Sequence, residues 1–363
     1  MSLRPSNPSL SSHMTDSNTC ATLSNPSSRH HAELSHDSGE KTASLKASKN
    51  AEDINAGKGY VFMVLLALQY GLQPLIQKSF IDRFAVNKVS LVLATEVTKI
   101  LICSSALIFN GSLPEIWKHW SLFSSIKAAL LPATCYAFQN WLTQIAYMNL
   151  DSLTFILLNQ LKTLSAGVCL FIVMGTRQSN LQILALIMLL AAAILLNFRN
   201  DQNMGPETVS WEYGIVPVLA ASFLSGFSAA VTQRSLQSKG RNSFLLSAEL
   251  GFYGIIVVVV TTLTSESGHE MLEVGLWKGW TRWTFIPVFT QSLGGLFVGQ
   301  VTKHAGSVKK GFALMVGILV TALAQYVLER QPLSPEHYAS GVLVAFSMFL
   351  HTRYPYVYKK KTV

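Results

Sequence analysis

Ten blocks of mostly apolar residues, each between 15 and 24 long and set apart by short polar connectors, leave this chain few ways to fold. They run over 60–78, 89–109, 124–147, 152–174, 180–198, 211–232, 244–264, 284–302, 311–328 and 338–352. A helix crossing the hydrocarbon of a bilayer needs about 20 such residues, and core helices of soluble domains do not need runs this long. Only helices and closed barrels satisfy their backbone groups inside lipid, and the alternating ten-residue strands of a barrel are absent. Charge points the same way: 13% of the residues are charged, against about 25% in soluble domains. The expected class is an all-α integral membrane protein with ten transmembrane helices. Connectors such as Asn110–Pro114 and Asn200–Pro206 carry the Gly, Pro and Asn that membrane helices avoid.

Residues 1–58 differ from the rest. They are rich in Ser, Asn and His with no apolar run, which predicts a disordered cytosolic tail. The transporter-like body would occupy 59–353, and a basic cytosolic tail 354–363. Basic residues set the orientation. The C-terminus and the connectors after even-numbered spans hold thirteen, among them Arg177, Arg234, Lys239, Arg241, Lys303 and Lys310, while the opposite connectors hold seven. The positive-inside rule then puts both termini in the cytosol. The formal net charge of +9 reflects this topology, together with any pull on anionic cargo, and calls for no nucleic-acid partner.

Ten spans divide into two sets of five, approximately 59–200 and 208–353. Five is odd, so a second copy must enter the bilayer from the other side. This is the inverted-repeat architecture of many carriers, with the ligand site near mid-membrane between the repeats.

Charged groups in a bilayer cost several kcal/mol, so each one needs a partner or a function. Lys162 lies well inside span four beside Asn159 and Gln160. An ammonium flanked by amides suits a phosphate or pyrophosphate; the competing reading is an ion pair with Glu96 or Glu249. Tyr136, Asn140 and Thr143 or Gln144 fall at helical spacing and, with Gln139, form a polar stripe on span three. The stripe fits a nucleobase or, equally, hydrogen bonds between helices. Gly295 and Gly299 make a small-residue face, Ser225-Gly226-Phe227-Ser228 suits packing or a pocket, and Lys303 and Lys310 suit either membrane anchoring or an anion. Glu96 and Lys99, three apart, read as a structural pair. The four cysteines read as buried small hydrophobes. No metal cluster, nucleophile–base pair or phosphate-loop glycine pattern stands in the sequence, so no enzyme activity and no cofactor are expected.

Taken together, Tyr136-Ala137-Phe138-Gln139-Asn140, Leu150-Asp151, Gln160-Leu161-Lys162, Ser225-Gly226-Phe227, Gly294-Gly295-Leu296 and Lys303 through Lys310-Gly311-Phe312 resemble the nucleotide-sugar transporters of the CMP-sialic acid, UDP-galactose and UDP-N-acetylglucosamine group. The resemblance spans roughly residues 58–358. It implies the drug/metabolite transporter fold and exchange of a cytosolic nucleotide sugar for a lumenal nucleoside monophosphate. It also implies contact of Tyr136 and Asn140 with the nucleotide, and of Lys162 and Lys303 with its phosphates. Gln69-Tyr70-Gly71, Tyr213-Gly214, His304-Ala305-Gly306 and Tyr354-Pro355-Tyr356 are similar to the endoplasmic-reticulum branch that carries UDP-N-acetylglucosamine and UDP-N-acetylgalactosamine. Val231-Thr232-Gln233-Arg234 stands where sialic acid and galactose carriers have Tyr-Phe-Glu-Lys, and Ser247-Ala248-Glu249 where they have Asn-Ile-Gln. By the resemblance these positions approach the sugar end, which argues against CMP-sialic acid and UDP-galactose as cargo.

The expected ligand set is therefore Tyr136, Gln139, Asn140, Asn159, Gln160, Lys162, Ser225, Ser228, Ser247, Glu249, Gly294, Gly295 and Lys303, with a UDP-sugar and UMP as partners and a homodimer left open. Other anion carriage within the drug/metabolite superfamily, or a transport-dead scaffold, are the competing functions. Lys360 and Lys361, fourth and third from the end, resemble the dilysine signal read by retrieval coat proteins. That signal implies the endoplasmic reticulum, with the Golgi membrane as the alternative.

Overall fold

The computed structural model of the protein describes residues 56–82, 85–150, 152–197, 211–264, 273, 275–330 and 335–356. The tail expected over 1–58 lies outside them apart from its last three positions, as do Lys360 and Lys361. The described residues are helix and turn, with no strand among them.

The long helices follow the apolar blocks. They are α1 (Ala56–Phe80), α2 (Lys88–Phe109), α3 (Leu131–Asn149), α4 (Ser152–Met174) and α5 (Asn180–Asn197). After a connector come α6 (Val216–Gln233), α7 (Ser243–Thr264), α8 (Phe285–His304), α9 (Ser307–Glu329) and α10 (Pro335–Arg353). Five helical stretches are long and apolar enough to cross a membrane by length and composition: Ala56–Phe80, Val89–Phe109, Glu212–Ser238, Ser243–Thr264 and Ser307–Leu328. Leu158–Met174 and Asn180–Leu195 are shorter apolar helices.

Several helices outrun their apolar windows. α9 starts at Ser307 rather than 311, because backbone hydrogen bonding continues into residues too polar for a hydropathy window. A short helix, Leu113–His119, occupies the connector after α2 and was not expected. π-helical turns precede α3 (Ile126–Leu130) and α6 (Trp211–Ile215). Each stands just ahead of a proline, Pro132 or Pro217, which lacks an N–H and crowds the preceding turn. The wider π turn relieves that crowding, and hydropathy carries no trace of it.

The helices bury small residues and show large apolar ones to the outside. Ala129, Ala146, Ala185, Ala192 and Ala230 are fully buried, whereas Val61, Leu101, Ile108, Ile172, Phe223 and Val342 are exposed. A soluble protein does not tolerate such an apolar exterior; in lipid it is the expected surface. Hydroxyls tie helix to helix through main-chain carbonyls: Ser222 Oγ donates to Leu158 O (3.1 Å), Ser292 Oγ to Thr95 O (2.8 Å) and Ser340 Oγ to Ala192 O (2.9 Å).

α4 packs along α6, α3 along α6 and α7, α2 along α7, α5 along α10 and α4 along α5. α8 packs on α2 and on α9, and α9 on α10 and α4. α1 joins α8 through Gln69 Nε2 to Thr290 O (3.1 Å) and Gln73 Nε2 to Pro287 O (3.0 Å), and α9 through Thr321 Oγ1 to Gly71 O (2.7 Å).

Candidate functional site

Three cavities lie in succession between these helices. The central one, about 350 Å³, is walled by α2, α3, α6, α7, α8 and the start of α9. Its polar groups are Glu96 and Lys99 from α2, Tyr136 and Asn140 from α3, Thr232 from α6, Ser243 and Ser247 from α7, Thr302 from α8 and Lys310 from α9. A wider chamber of about 740 Å³ shares Glu96, Lys99, Gly295 and Val298 with the first. A vestibule of about 490 Å³, lined by Lys58, Asn242, Ser243, Gln300, Lys303 and His304, meets the central cavity at Ser243. Together they trace a path from the start of α1 and end of α8 to the end of α9 and start of α10.

The lysines hold the path's charge. Lys99 forms an ion pair with Glu96 one helical turn away, at the neck between the central and wider chambers. Gly295 makes room for it: a Cβ there would lie 2.9 Å from Lys99 Cδ. Lys310 faces the central cavity from α9, and Lys162 stands on the neighbouring α4. The two helices approach closely at the next residues, since a Cβ on Gly311 would lie 2.7 Å from the Thr163 side chain. The α8–α9 turn that positions Lys310 is fixed by Gly306 at φ +90°, a conformation that favours glycine. Gln233 Oε1 accepts from Ser307 N (2.7 Å) and Gln237 Nε2 donates to Thr302 O (3.0 Å), clamping that turn to the end of α6.

Neither carboxylate weighed as a partner for Lys162 is available. Glu96 is taken by Lys99, and Glu249 by Arg241, whose Nε bonds Glu249 Oε2 at 3.0 Å and whose Nη2 bonds Oε1. Trp120 Nε1 also donates to Glu249 Oε1 (2.9 Å), and Arg241 Nη1 to Ser124 Oγ (2.9 Å). Among the described residues Lys162 has no ion pair. Glu249 thus sits in a hydrogen-bonded clamp behind the cavity wall, not on its lining.

The other expected ligands divide as follows. Tyr136, Asn140 and Ser247 line the central cavity, and Gly295 lines both it and the wider chamber, where Gly294 packs on Gln69. Gln139 lies beside them, bonded to Asn140 Oδ1 (3.3 Å). Lys303 lines the vestibule instead. There His304, beyond the span 284–302, is held below the usual imidazole pKa by burial and then by the charges of Lys303 and Lys58. Asn159 and Gln160 are half-buried on α4 and line none of the three cavities. The Ser225–Ser228 stretch is a packing face: a Cβ on Gly226 would lie 2.6 Å from the α4 backbone at Ala166, and the fully buried Ser228 Oγ donates to Pro132 O (3.4 Å). Sequence reasoning set the Glu96–Lys99 pair aside as structural, although it lies at the junction of two chambers. Thr232, which the resemblance placed toward the sugar end, lines the central cavity together with Tyr136.

An amphipathic chamber of this kind, with an aromatic hydroxyl, an amide and ammonium groups in one lining, suits a nucleotide. The family model for nucleotide-sugar transporters matches residues 59–352. The chain belongs to the nucleotide-sugar transporter family. A UDP-N-acetylglucosamine transporter of Arabidopsis thaliana, ROCK1, is 42% identical over 83% of this chain and 93% of its own length. The UDP-N-acetylglucosamine transporter of Rattus norvegicus is 28% identical over 62% of this chain and 71% of its own. A solved crystal structure aligns with 82% of this chain and 98% of that chain at a TM-score of 0.59 and 12% identity, which establishes a shared fold. Among nucleotide-sugar transporters a membrane-spanning helical body is required by the task, since a charged, strongly hydrated cargo cannot dissolve in hydrocarbon.

Proposed function

We propose that this nucleotide-sugar transporter exchanges a cytosolic UDP-N-acetylhexosamine, N-acetylglucosamine or N-acetylgalactosamine, for lumenal UMP. The observation that carries the proposal is the convergence of Tyr136 and Asn140 with Lys310 and Lys99 around one central cavity. The identity and coverage of the Arabidopsis relative support the choice of sugar. Tyr136 would stack or hydrogen-bond on the uracil and Asn140 would read its edge, while Lys310, backed by Lys162, would neutralise phosphate.

Obligatory exchange follows from the electrostatics. Alternating access requires the site to close to both sides in passing. Closing it empty strands unpaired ammonium groups away from water, at a cost of several kcal/mol per ion. A nucleotide sugar going one way or a nucleoside monophosphate going the other supplies the missing anion, so loaded carriers cross and empty ones do not.

Ten membrane-crossing helices in two inverted halves fit the packing. Adding five to each helix number turns α3–α6 into α8–α1, α4–α6 into α9–α1, α3–α7 into α8–α2 and α4–α5 into α9–α10, and all of these pairs pack. The pairs α2–α7, α4–α9 and α5–α10 map onto themselves. A pseudo-two-fold between halves 59–200 and 208–353 would account for that regularity, and the central cavity draws its lining from both halves. The basic-residue asymmetry supports cytosolic termini and a vestibule that opens to the cytosol. The dilysine at Lys360 and Lys361 supports residence in the endoplasmic reticulum through coat-protein retrieval.

The test is uptake into liposomes that contain the full chain and are preloaded with UMP. UDP-N-acetylglucosamine and UDP-N-acetylgalactosamine should enter against UMP, and liposomes without internal nucleotide should take up little. Equal uptake into empty liposomes, or preference for CMP-sialic acid or UDP-galactose, overturns the proposal.

A further inference from the structure

Away from the substrate path, a further cavity of about 360 Å³ lies between α4 and α5. Its wall is Leu164, Gly167, Val168 and Phe171 from α4, with Ile183 and Leu186 from α5. None of these residues lines the central cavity, the wider chamber or the vestibule. Val168, Phe171 and Ile183 are exposed, so the groove opens to the outside of the helical body. Gly167 makes the hollow. A Cβ built there would meet only ordinary contacts, 3.5 Å to Leu186 Cδ1 and 3.9 Å to Gln178 Cγ, so the helices leave room for a side chain that the sequence withholds.

One end of this apolar groove is charged. α4 ends at Met174, and Gly175 at φ +71° turns the chain back, a conformation that favours glycine. The connector then returns along the groove, where Gln178 approaches Gly167 and Arg177 lays its guanidinium 5.7 Å over the Phe171 ring. Arg177 is exposed and has no carboxylate partner among the described residues. An arginine at the end of a membrane helix ordinarily reaches away from hydrocarbon into water; this one bends back over the groove. α5 begins three residues later at Asn180, capped by Ser179 Oγ, which accepts from Gln182 N (3.1 Å). The positive end of the α5 dipole thus stands beside the guanidinium.

We infer that the α4–α5 groove holds one anionic glycerophospholipid, with an acyl chain along Gly167 and the phosphate on Arg177. A lipid lying on a convex helix face meets neither a recess nor a fixed cation, and this groove supplies both. A chain in the hollow also restores the dispersion contacts that an unfilled wall forfeits. The proposed orientation puts this end of α4 at the cytosolic leaflet, where acidic lipids reside. α4 carries Lys162 and packs along α6, so filling the groove bears on how firmly that helix sits.

The experiment is native mass spectrometry of the full chain, delipidated in detergent and titrated with dioleoyl phosphatidylserine, phosphatidylinositol or phosphatidylcholine. The wild type should bind one acidic lipid, of either headgroup, about fivefold more tightly than phosphatidylcholine, the worth of one basic residue at an anionic surface. Arg177→Gln should reduce that preference to about twofold or less. Gly167→Val fills the hollow and should weaken acidic and zwitterionic lipids alike. Glycerophosphoserine, the headgroup without its chains, should not compete. Equal binding of the three lipids by the wild type, an acidic preference that survives Arg177→Gln, competition by glycerophosphoserine, or wild-type lipid binding by Gly167→Val overturns the inference. If Gly167→Val gives no monodisperse protein, wild-type protein and a phosphatidylserine with a photoreactive acyl chain decide. Label on peptides within residues 164–186 upholds the groove. Label only elsewhere, or none because a second copy of the chain or the tail before α1 covers this face, refutes it.

Discussion

Arg241 and Glu249 test where substrate recognition ends and scaffolding begins. Their side chains are 13% and 8% exposed, and the pair is tied to Trp120 and Ser124 by further hydrogen bonds. Arg241→Met leaves the Glu249 carboxylate with one N–H donor in a nearly dry setting. Removing one partner of a buried pair costs about 3–5 kcal/mol; the residual exposure and the surviving Trp120 bond favour the lower end, about 3 kcal/mol. At about 2 °C per kcal/mol for a chain of this size, the melting temperature of the purified protein should fall by about 6 °C. Glu249→Gln should do much the same, because it leaves the guanidinium unpaired. Arg241→Met/Glu249→Met, which removes both charges, should recover at least half of the loss. UMP affinity in the variants that fold should remain at the wild-type value. A Glu249→Gln protein that melts normally yet binds UMP or UDP-sugar several-fold more weakly would refute this reasoning and return Glu249 to the ligand set.

Lys310→Gln and Lys162→Gln keep hydrogen-bond donors but remove a charge, and each should lower UMP affinity by about 10-fold to 150-fold, the equivalent of a charge-assisted contact of about 1.5–3 kcal/mol; near wild-type exchange by either variant removes that lysine from the phosphate site. Gly226→Val places a side chain against the α4 backbone, 2.6 Å from Ala166 N even at its Cβ. Overpacking of this kind costs about 1–3 kcal/mol or more, and the yield of monodisperse protein in detergent should drop sharply. Asn110-Gly111-Ser112 is a glycosylation sequon with an exposed asparagine. The proposed orientation puts that connector in the cytosol, where it should carry no glycan, so a glycosidase-sensitive mobility shift lost in Asn110→Gln would reverse the orientation. Lys360→Ser/Lys361→Ser should move an N-terminally tagged protein from the endoplasmic reticulum to the Golgi under microscopy, and wild-type protein already in the Golgi would refute the retrieval signal.

Much of this molecule is legible in the chain because lipid is an unforgiving solvent. Every apolar block must be a helix, so hydropathy located α4 at 152–174 and most other helices to within a few residues. Charge and amides are so costly there that Lys162, Tyr136 and Asn140 stood out singly. Motif order pointed to the family. Periodicity, however, describes one helix at a time, and pairing between helices has no local signal. The spacing of Glu96 and Lys99 already suggested their pairing, but only the tertiary structure gave Glu249 to Arg241, leaving neither carboxylate for Lys162. It turned Ser225–Ser228 into a packing face against α4, moved Lys303 to the vestibule, and brought Lys310 to the central cavity through a turn that Gly306 and Gln233 hold. The glutamines of α1 were unremarkable in sequence, because an amide is costly or useful only according to what faces it. Their role was decided by α8, which comes more than 200 residues later in the chain.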